Sequence, residues 1–282
     1  KKRILPRLAK NELAAFALTA PEAGSDVLSM KTVADMDSKP GFVVLSGNKC
    51  YITNPLEASV MVTVGRTGKY RKDVSAFVIE SERGLKLDNL NLIPEEKNLL
   101  KCASFCRVSM NNVVIPASAL LGERDHGFKF FLQALAHGRI AIAAKMCGGA
   151  GRIFEDAMAH CLTRQMFDGT LWDMQVTKHA FAKARADLWA AWLGVMEASK
   201  ICDAGKDAHE INEIATCVKY FATRVANDVA QDLTSRFGGM IALKEFPHMQ
   251  RKDEAYMATI FEGNNLLLLD VGANYLEKHF AE

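Results

Sequence analysis

The chain has 282 residues, of which 49% are hydrophobic and 24% charged, the composition of a folded globular protein. At roughly 150 residues per domain, this length predicts two domains. The formal net charge of +2 is too small to indicate nucleic acid or an anionic membrane as the main partner.

Cysteine and histidine spacing excludes two further classes of site. The seven cysteines include no Cys-x-x-Cys pair, and an odd number does not suit a disulfide framework. We therefore expect free thiols in a reducing compartment. The seven histidines form neither His-x-x-x-His nor His-Glu-x-x-His, so no metal site is predicted.

No apolar run approaches the ~18 residues that span a bilayer, so we expect no transmembrane segment. The start, Lys-Lys-Arg-Ile-Leu-Pro-Arg-Leu, lacks the apolar core and cleavage site of a signal peptide. So abrupt a start is typical of a sequence that begins inside a folded domain.

The first half of the chain, about 13–122, alternates short β-rich runs with turn signals. The runs are rich in valine and other strand formers and lie at 42–45, 60–64, 74–79 and 106–110. Glycine, asparagine and serine clusters separate them. Frequent strands without intervening helices indicate an antiparallel barrel or sandwich.

One segment of this half, Phe-Ala-Leu-Thr-Ala-Pro-Glu-Ala-Gly-Ser-Asp at 16–26, has the features of a ligand cradle. A strand ends near Thr19, Pro21 then fixes a turn, and Gly24 permits a backbone conformation closed to other residues. The hydroxyls of Thr19 and Ser25 flank backbone N–H groups. Such an element can hold a polar ligand edge or a phosphate, although turn chemistry alone fits an ordinary surface turn equally well.

After Gly127 the period becomes helical. One face is marked by apolar residues at i, i+3, i+4 and i+7, namely Phe128, Phe131, Leu132 and Leu135. Further helical stretches cover about 140–164, 172–204, 208–236 and 264–280. They predict an antiparallel helix bundle, with Trp189 and Trp192 packed in its core.

Glu262 lies between apolar residues and a glycine, in Ala-Thr-Ile-Phe-Glu-Gly-Asn at 258–264. A poorly solvated carboxylate has a raised pKa and can act as a base toward a weak carbon acid. By spacing alone, its commoner role is that of an acidic residue facing the dipole at the start of the next helix. Both roles remain open at this stage.

Four other residues have two interpretations each. Arg164 suits either the dipole at a helix C-terminus or a phosphate. Arg139, inside an apolar helical run, needs solvent or an anionic partner. Gly238 and Gly239 form either a helix C-cap or a place where the backbone approaches a flat ligand.

Taken in order, these segments resemble the acyl-CoA dehydrogenase family. The matching segments are Phe16–Asp26, Tyr51–Asn54, Gly138-Arg139, Arg164–Phe167, Gly238-Gly239 and Phe261–Gly263. The resemblance covers residues 1 to about 275 and points to the very-long-chain branch through Gly238-Gly239-Met240 and Ile260–Gly263. It implies an α+β fold: the end of an N-terminal helical domain at 1–12, a middle antiparallel β-barrel at 13–124, and a C-terminal four-helix-bundle-like domain at 125–282.

The resemblance also implies FAD as cofactor and a role for each matching position. The flavin ring and its polar edge would lie against Phe16, Leu18, Thr19, Gly24, Ser25, Tyr51, Ile52 and Thr53. The remaining cofactor contacts would come from Arg164 and Phe167 toward a neighbouring subunit's pyrophosphate, and from Ser235, Gly238, Gly239 and Asn264. The acyl-CoA would contact Ser25, Gly138, Arg139, Phe261 and Gly263.

The implied reaction has Glu262 as catalytic base. It removes the proton next to the thioester carbonyl while hydride leaves the adjacent carbon for the flavin, which produces a trans-2-enoyl-CoA. The enolate oxygen would accept hydrogen bonds, one of them from the backbone N–H of Glu262. The implied partners are an electron-transfer flavoprotein and further copies of the chain, as a homodimer or larger oligomer, in the mitochondrial matrix or on the matrix face of the inner membrane.

Several positions depart from the family pattern. Cys102 stands in a stretch that loses a glycine and a serine, Ser235 replaces a glutamine, Asp253 an arginine and Asn264 a threonine. These departures motivate an alternative: a diverged, weakly active or inactive member that serves as a structural or assembly component of a mitochondrial complex, such as respiratory complex I.

Overall fold

A computed structural model of the protein describes residues 2–81 and 84–281, without the side chain of Lys278. The outer ends of the predicted domains at 1–12 and 125–282, Lys1 and Glu282, lie outside the described residues. The chain forms two compact units, Lys1–Phe131 and Leu132–Glu282. The predicted domain boundaries stay a prediction.

The first unit contains helix α1 (Leu5–Lys10) and, among its described residues, one eight-stranded sheet. In chain order the strands are β1 (Leu13–Ala17), β2 (Val33–Asp35), β3 (Phe42–Thr53), β4 (Ala58–Arg66), β5 (Val74–Glu80), β6 (Leu90–Pro94), β7 (Phe105–Pro116) and β8 (Leu120–Leu121). Neighbours run in the order β6-β7-β3-β2-β4-β5-β8, with β1 beside β4.

The sheet is mixed and open, so the predicted antiparallel β-barrel is wrong. Strands β1 and β2 each pair with β4 in parallel, whereas the other pairings are antiparallel. Closure into a barrel requires the end strands of the row to pair, and within the described residues β6 and β8 do not. Strand-forming runs predict that strands exist, but the direction of a strand's neighbour depends on residues far away in sequence.

The long strands β3 and β7 anchor this unit. Val43 and Leu45 of β3 lie opposite Ile115 and Val113 of β7, and all four side chains are buried. Full burial of one such side chain contributes about 1.5–3 kcal/mol. This core fixes the start of β3, whose other end carries Tyr51.

The second unit is helical, in agreement with the predicted α+β class. Helix α2 (Gly127–Thr163) begins in the first unit and is followed by a hairpin of β9 (Gln165–Met166) and β10 (Gly169–Thr170). The remaining helices are α3 (Gln175–Asp203), α4 (Ala208–Thr234), α5 (Pro247–Met257) and α6 (Asn265–Ala281). The predicted helical stretches correspond to α2, α3, α4 and α6, whereas α5, which has a polar sequence without an apolar stripe, was not predicted.

The core of the helical unit is built from small side chains. Along α2, Ala136, Ile140, Ala143, Cys147 and Ala150 recur every three or four residues, and all are buried. This spacing places them on one face. They belong to one cluster with buried residues of α3 and α4, and their small size allows close helix approach.

The predicted core position of the two tryptophans is wrong. Trp189 is 60% exposed and Trp192 45% exposed, while Ala191 between them is buried. A three-residue spacing places two residues on one side of a helix but does not say which side packs. Here the core face of α3 belongs to small residues.

None of the described helices is long and apolar enough to cross a membrane. Among the described residues, no cluster of three or more histidine, cysteine or acidic side chains has metal-binding geometry. All seven cysteines are free.

Candidate active site

Glu262 lies in a tight turn between α5 and α6. Its φ is 56° and that of Gly263 is 99°, so two consecutive residues are left-handed. For a residue with a side chain this conformation costs roughly 1–2 kcal/mol. The start of α6 is capped by Asn264, whose side-chain oxygen accepts the N–H of Leu266 at 2.9 Å. The capping position is therefore taken by Asn264, two residues after Glu262.

The carboxylate of Glu262 lies against Gly138 of α2. A Cβ atom at position 138 would be 2.8 Å from Glu262 Oε2 and 3.0 Å from its Cδ. Such distances are too short for a real contact, so glycine leaves the space that the carboxylate fills. Burial raises the pKa of Glu262, while the positive charges of Arg139 and Lys219 lower it; the net direction is upward.

Arg139 is 5% exposed and binds the turn from one side. Its Nε donates to the backbone carbonyl of Glu262 at 3.1 Å. Its Nη1 donates to Asn212 Oδ1 at 2.8 Å and to Thr216 Oγ1 at 3.0 Å, both on α4. The hydrogen-bond acceptors of Arg139 are thus neutral oxygens, in place of the predicted solvent or anionic partner. The negative charge of Glu262 favours the protonated form of Arg139.

Lys219 of α4, which sequence reasoning missed, binds the next carbonyl of the same turn. It is fully buried. Its Nζ donates to Gly263 O at 2.6 Å and to Asn265 Oδ1 at 3.0 Å. Burial, with a smaller contribution from Arg139, lowers its pKa to about 8. A sequence signal existed: Thr216, Lys219 and Thr223 form a polar line at helical spacing within an apolar face.

The other residues predicted near the base lie as follows. Gly263 directly follows it, and a Cβ there would be 3.4 Å from Arg139 Nη2 and 3.1 Å from Leu268 Cδ2. Phe261 is partly buried and packs against the helical core. The structure therefore brings Glu262, Gly138, Arg139 and Gly263 together, and their contacts with coenzyme A stay a prediction.

In the first unit, the 16–26 segment is tied to β3. Cys50 N–H donates to Thr19 O at 3.0 Å. The fully buried Lys49 donates from Nζ to Leu18 O, also at 3.0 Å. Burial lowers the pKa of Lys49 to about 7. Leu18 itself is buried, whereas Phe16 is 37% exposed and so faces outward at the end of β1.

The turn that follows differs from the prediction at Gly24. Its φ is not in the left-handed region, and an added Cβ would meet nothing within 4 Å. Glycine is therefore not required there by backbone geometry. Ser25 is exposed, and Thr19 is half-buried. The turn is closed instead by a pair of backbone hydrogen bonds between Ala20 and Ala23.

A bulge in β3 turns Tyr51 outward. The pairing of β3 with β7 shifts register between Lys49 and Ile52, and Tyr51 has a φ of 60°. Its ring is 66% exposed and stacks on Phe105 at 5.9 Å. Bulges often redirect side chains at functional sites. Ile52 is buried and Thr53 exposed.

The remaining predicted positions lie at the other end of the helical unit. Arg164 is exposed just after α2, and Phe167, at the tip of the β9–β10 hairpin, has a φ of 54° and is 84% exposed. Gly238 has a φ of 58° inside the 3₁₀ segment Ser235–Ala242, and a Cβ at Gly238 or Gly239 would meet nothing within 4 Å.

The segment that contains Gly238 lies beside the end of α2, because the ring of Phe237 is 5.1 Å from that of His160. Ser235, in contrast, donates its hydroxyl to Asp232 O at 2.6 Å. Its only proton is thus used within the chain.

Comparisons with known proteins agree with this architecture. The family model for the acyl-CoA dehydrogenase middle domain matches residues 15–113, and that for the acyl-CoA dehydrogenase C-terminal domain matches 125–276. The mitochondrial short/branched chain specific acyl-CoA dehydrogenase of Rattus norvegicus is 29% identical over 99% of this chain. The chain spans 63% of that relative's length.

Two solved structures have a closely similar fold. Butyryl-CoA dehydrogenase from Megasphaera elsdenii gives a TM-score of 0.91 with 28% identity, covering 98% of this chain and 70% of that one. A solved structure named for the electron transferring flavoprotein of Acidaminococcus fermentans gives a TM-score of 0.90 with 27% identity. The match covers 98% of this chain and 71% of that one. The named enzymes are short- or branched-chain ones, so the predicted closeness to the very-long-chain branch is not supported.

Proposed function

The chain belongs to the acyl-CoA dehydrogenase family, and from that premise we propose that it oxidises an acyl-CoA to the trans-2-enoyl-CoA with FAD. The observation that carries the proposal is the Glu262 carboxylate, which is half-buried, raised in pKa and held against Gly138 by a left-handed turn. A carboxylate in that state is suited to remove a proton from a weak carbon acid.

The residues around Glu262 supply what the base needs. Glu262 accepts the proton from the carbon next to the thioester carbonyl at a carboxylate oxygen. Its backbone N–H donates to the enolate oxygen that develops, which makes the carbon acid strong enough for a carboxylate. Arg139 and Lys219 donate hydrogen bonds to the carbonyls of Glu262 and Gly263. FAD, when bound, supplies the acceptor for the hydride from the adjacent carbon.

The surfaces proposed for FAD fit a flat ring and a phosphate chain. Each unit exposes aromatic rings at the proposed positions: Phe16 and Tyr51 in the first unit are 37% and 66% exposed, and Phe167 in the second is 84% exposed. Gly24, Gly238 and Gly239 leave open backbone, because a Cβ at any of them would meet nothing within 4 Å. Exposed aromatic rings can stack on a flat ring, and open backbone can offer N–H groups to a phosphate.

The substrate and partners follow from the relatives. We propose a short or branched acyl chain rather than a very long one, since the rat relative is named for short and branched chains. We also propose an electron-transfer flavoprotein as electron acceptor, supported by the Acidaminococcus structure. A mitochondrial location is supported by the rat relative's name. A homodimer or larger oligomer would place Arg164 and Phe167 at a neighbouring subunit's cofactor.

The test is a flavin absorbance spectrum of purified protein before and after anaerobic addition of acyl-CoAs of increasing length. We expect a yellow protein that is bleached by a short or branched acyl-CoA. Glu262→Gln should keep FAD and lose bleaching, whereas the exposed Glu245→Gln, on the segment before α5, should bleach as wild type does. Undiminished bleaching in Glu262→Gln would remove Glu262 from the role of base.

A second function is favoured by two particular residues. Ser235 donates its hydroxyl into its own helix, and Asp253 pairs with Lys252 at 3.5 Å, where the family pattern has glutamine and arginine. The family resemblance implies that both changes remove polar contacts to FAD. The alternative is a structural or assembly component of a mitochondrial complex such as respiratory complex I. Colourless protein that copurifies with subunits of such a complex would support it, and stoichiometric FAD with turnover would exclude it as the only role.

A further inference from the structure

Lys219 is an unusual residue for the middle of a helix. Its side chain is fully buried in α4, where an unpaired charge would cost several kcal/mol. No carboxylate of the described residues forms an ion pair with it. Its hydrogen-bond acceptors are the backbone carbonyl of Gly263 and the side-chain oxygen of Asn265. A buried ammonium on a backbone carbonyl requires an explanation.

The explanation lies in the conformation of the turn. Glu262 and Gly263 are both left-handed, and such strain persists where the surroundings over-determine it. Two consecutive carbonyls of this turn each receive a buried cation: Arg139 binds the first and Lys219 the second. Asn265 extends the clamp, because it also exchanges hydrogen bonds with Thr223 of α4.

The same cation acts on the charge of the base. The charged and titratable groups that face this cluster are Arg139 from α2, Lys219 from α4 and Tyr275 from α6, the last acting on Arg139. Arg139 and Lys219 both favour the ionised form of Glu262, against burial. Removal of one cation should leave the carboxylate protonated up to a higher pH.

We propose that Lys219 is a positioning residue for the base: by holding the carbonyl of Gly263, it maintains the left-handed turn that directs the Glu262 carboxylate. This inference rests on the proposed role of Glu262. It adds to that role a residue 43 positions earlier in the chain, on α4, that is not among the residues proposed to contact FAD or coenzyme A.

The first measurement is the rate of flavin reduction by acyl-CoA in a single turnover, as a function of pH. Lys219→Met removes the cation, Lys219→Arg keeps it, and the exposed Lys145→Met of α2 is the matched control. We expect the acid limb of the Lys219→Met profile to lie about one pH unit higher, with a rate about 10- to 100-fold lower. Lys219→Arg should restore the position of the limb, and Lys145→Met should match wild type.

The second measurement is hydrogen–deuterium exchange of the 259–266 peptide in purified protein without substrate. Faster exchange in Lys219→Met, but not in Lys145→Met, is expected, since the turn loses its clamp. This readout remains informative if wild type shows no acyl-CoA-dependent reduction, a result that would refute the proposed function alone. An unchanged acid limb together with unchanged exchange would overturn the inference. If Lys219→Met does not fold, Lys219→Gln gives the same comparison, because it too removes the charge.

Discussion

The carboxylate of Glu262 fills the space that a side chain at position 138 would need: Oε2 lies 2.8 Å from where a Cβ of residue 138 would be. The two residues are 124 positions apart and lie on different elements. Glycine at 138 is thus explained by contact with the proposed base rather than by flexibility of α2.

Gly138→Ala is therefore expected to displace the base. The atoms that must move are the far end of the flexible Glu262 side chain, so we expect flavin reduction to fall while thermal stability changes little. The control is Gly148→Ala, further along the same helix, where a Cβ would meet nothing within 4 Å and alanine should stabilise by roughly 0.5–1 kcal/mol. Equal reduction rates in the two variants would contradict the contact.

The pKa of Glu262 predicts a pH-dependent difference between wild type and Glu262→Gln. Because the folded-state pKa is raised above the unfolded one, the folded state binds more protons between these two values. The stability of wild type relative to Glu262→Gln should thus fall as pH rises from below the usual glutamate pKa, then level off above the folded-state pKa. Thermal melting at pH 4 to 8 checks this, and a difference that is constant across that range would refute it.

Lys49 predicts the opposite trend in the first unit. Its folded-state pKa of about 7 lies below the ordinary 10.5, so between these values the unfolded chain binds more protons and stability rises with pH. We expect Lys49→Met to lose this rise and also the bond to Leu18 O, which leaves a carbonyl unsatisfied at a cost of about 1–3 kcal/mol. Urea unfolding from pH 7 to 10 measures both effects, with the exposed Lys72→Met as control.

Tyr51 is expected to contribute to FAD binding with little net effect on stability. Tyr51→Gly relieves a left-handed φ that costs roughly 1–2 kcal/mol, and it loses a stacked contact with Phe105 worth about 0.5–1.5 kcal/mol. Stability should change little, because the two effects offset each other. FAD affinity, measured by fluorescence titration of the flavin-free protein, should fall, whereas Tyr51→Phe should retain it. Unchanged affinity in Tyr51→Gly would remove this ring from the flavin surface.

The local sequence pattern predicted most helices and strands but not which elements pack against each other. The helical period after Gly127 predicted α2, α3, α4 and α6, and the valine-rich runs predicted β3, β4, β5 and β7, because amphipathic periodicity and strand propensity act over a few neighbouring residues. The polar α5 was missed for the same reason. Trp189 was placed in the core wrongly, since spacing identifies a face but not what packs on it.

The sequence alone indicated a poorly solvated Glu262, because apolar residues precede it, but left its role open between a base and an acidic residue at a helix start. It also showed that the ordered segments resemble one enzyme family. Only the tertiary structure decided that β1 runs parallel to β4, that Gly138 makes room for the carboxylate, and that Lys219 holds the carbonyl of Gly263. Each of these depends on contact between residues tens of positions apart, and such contacts are selected by the packing of the whole unit rather than by local propensity.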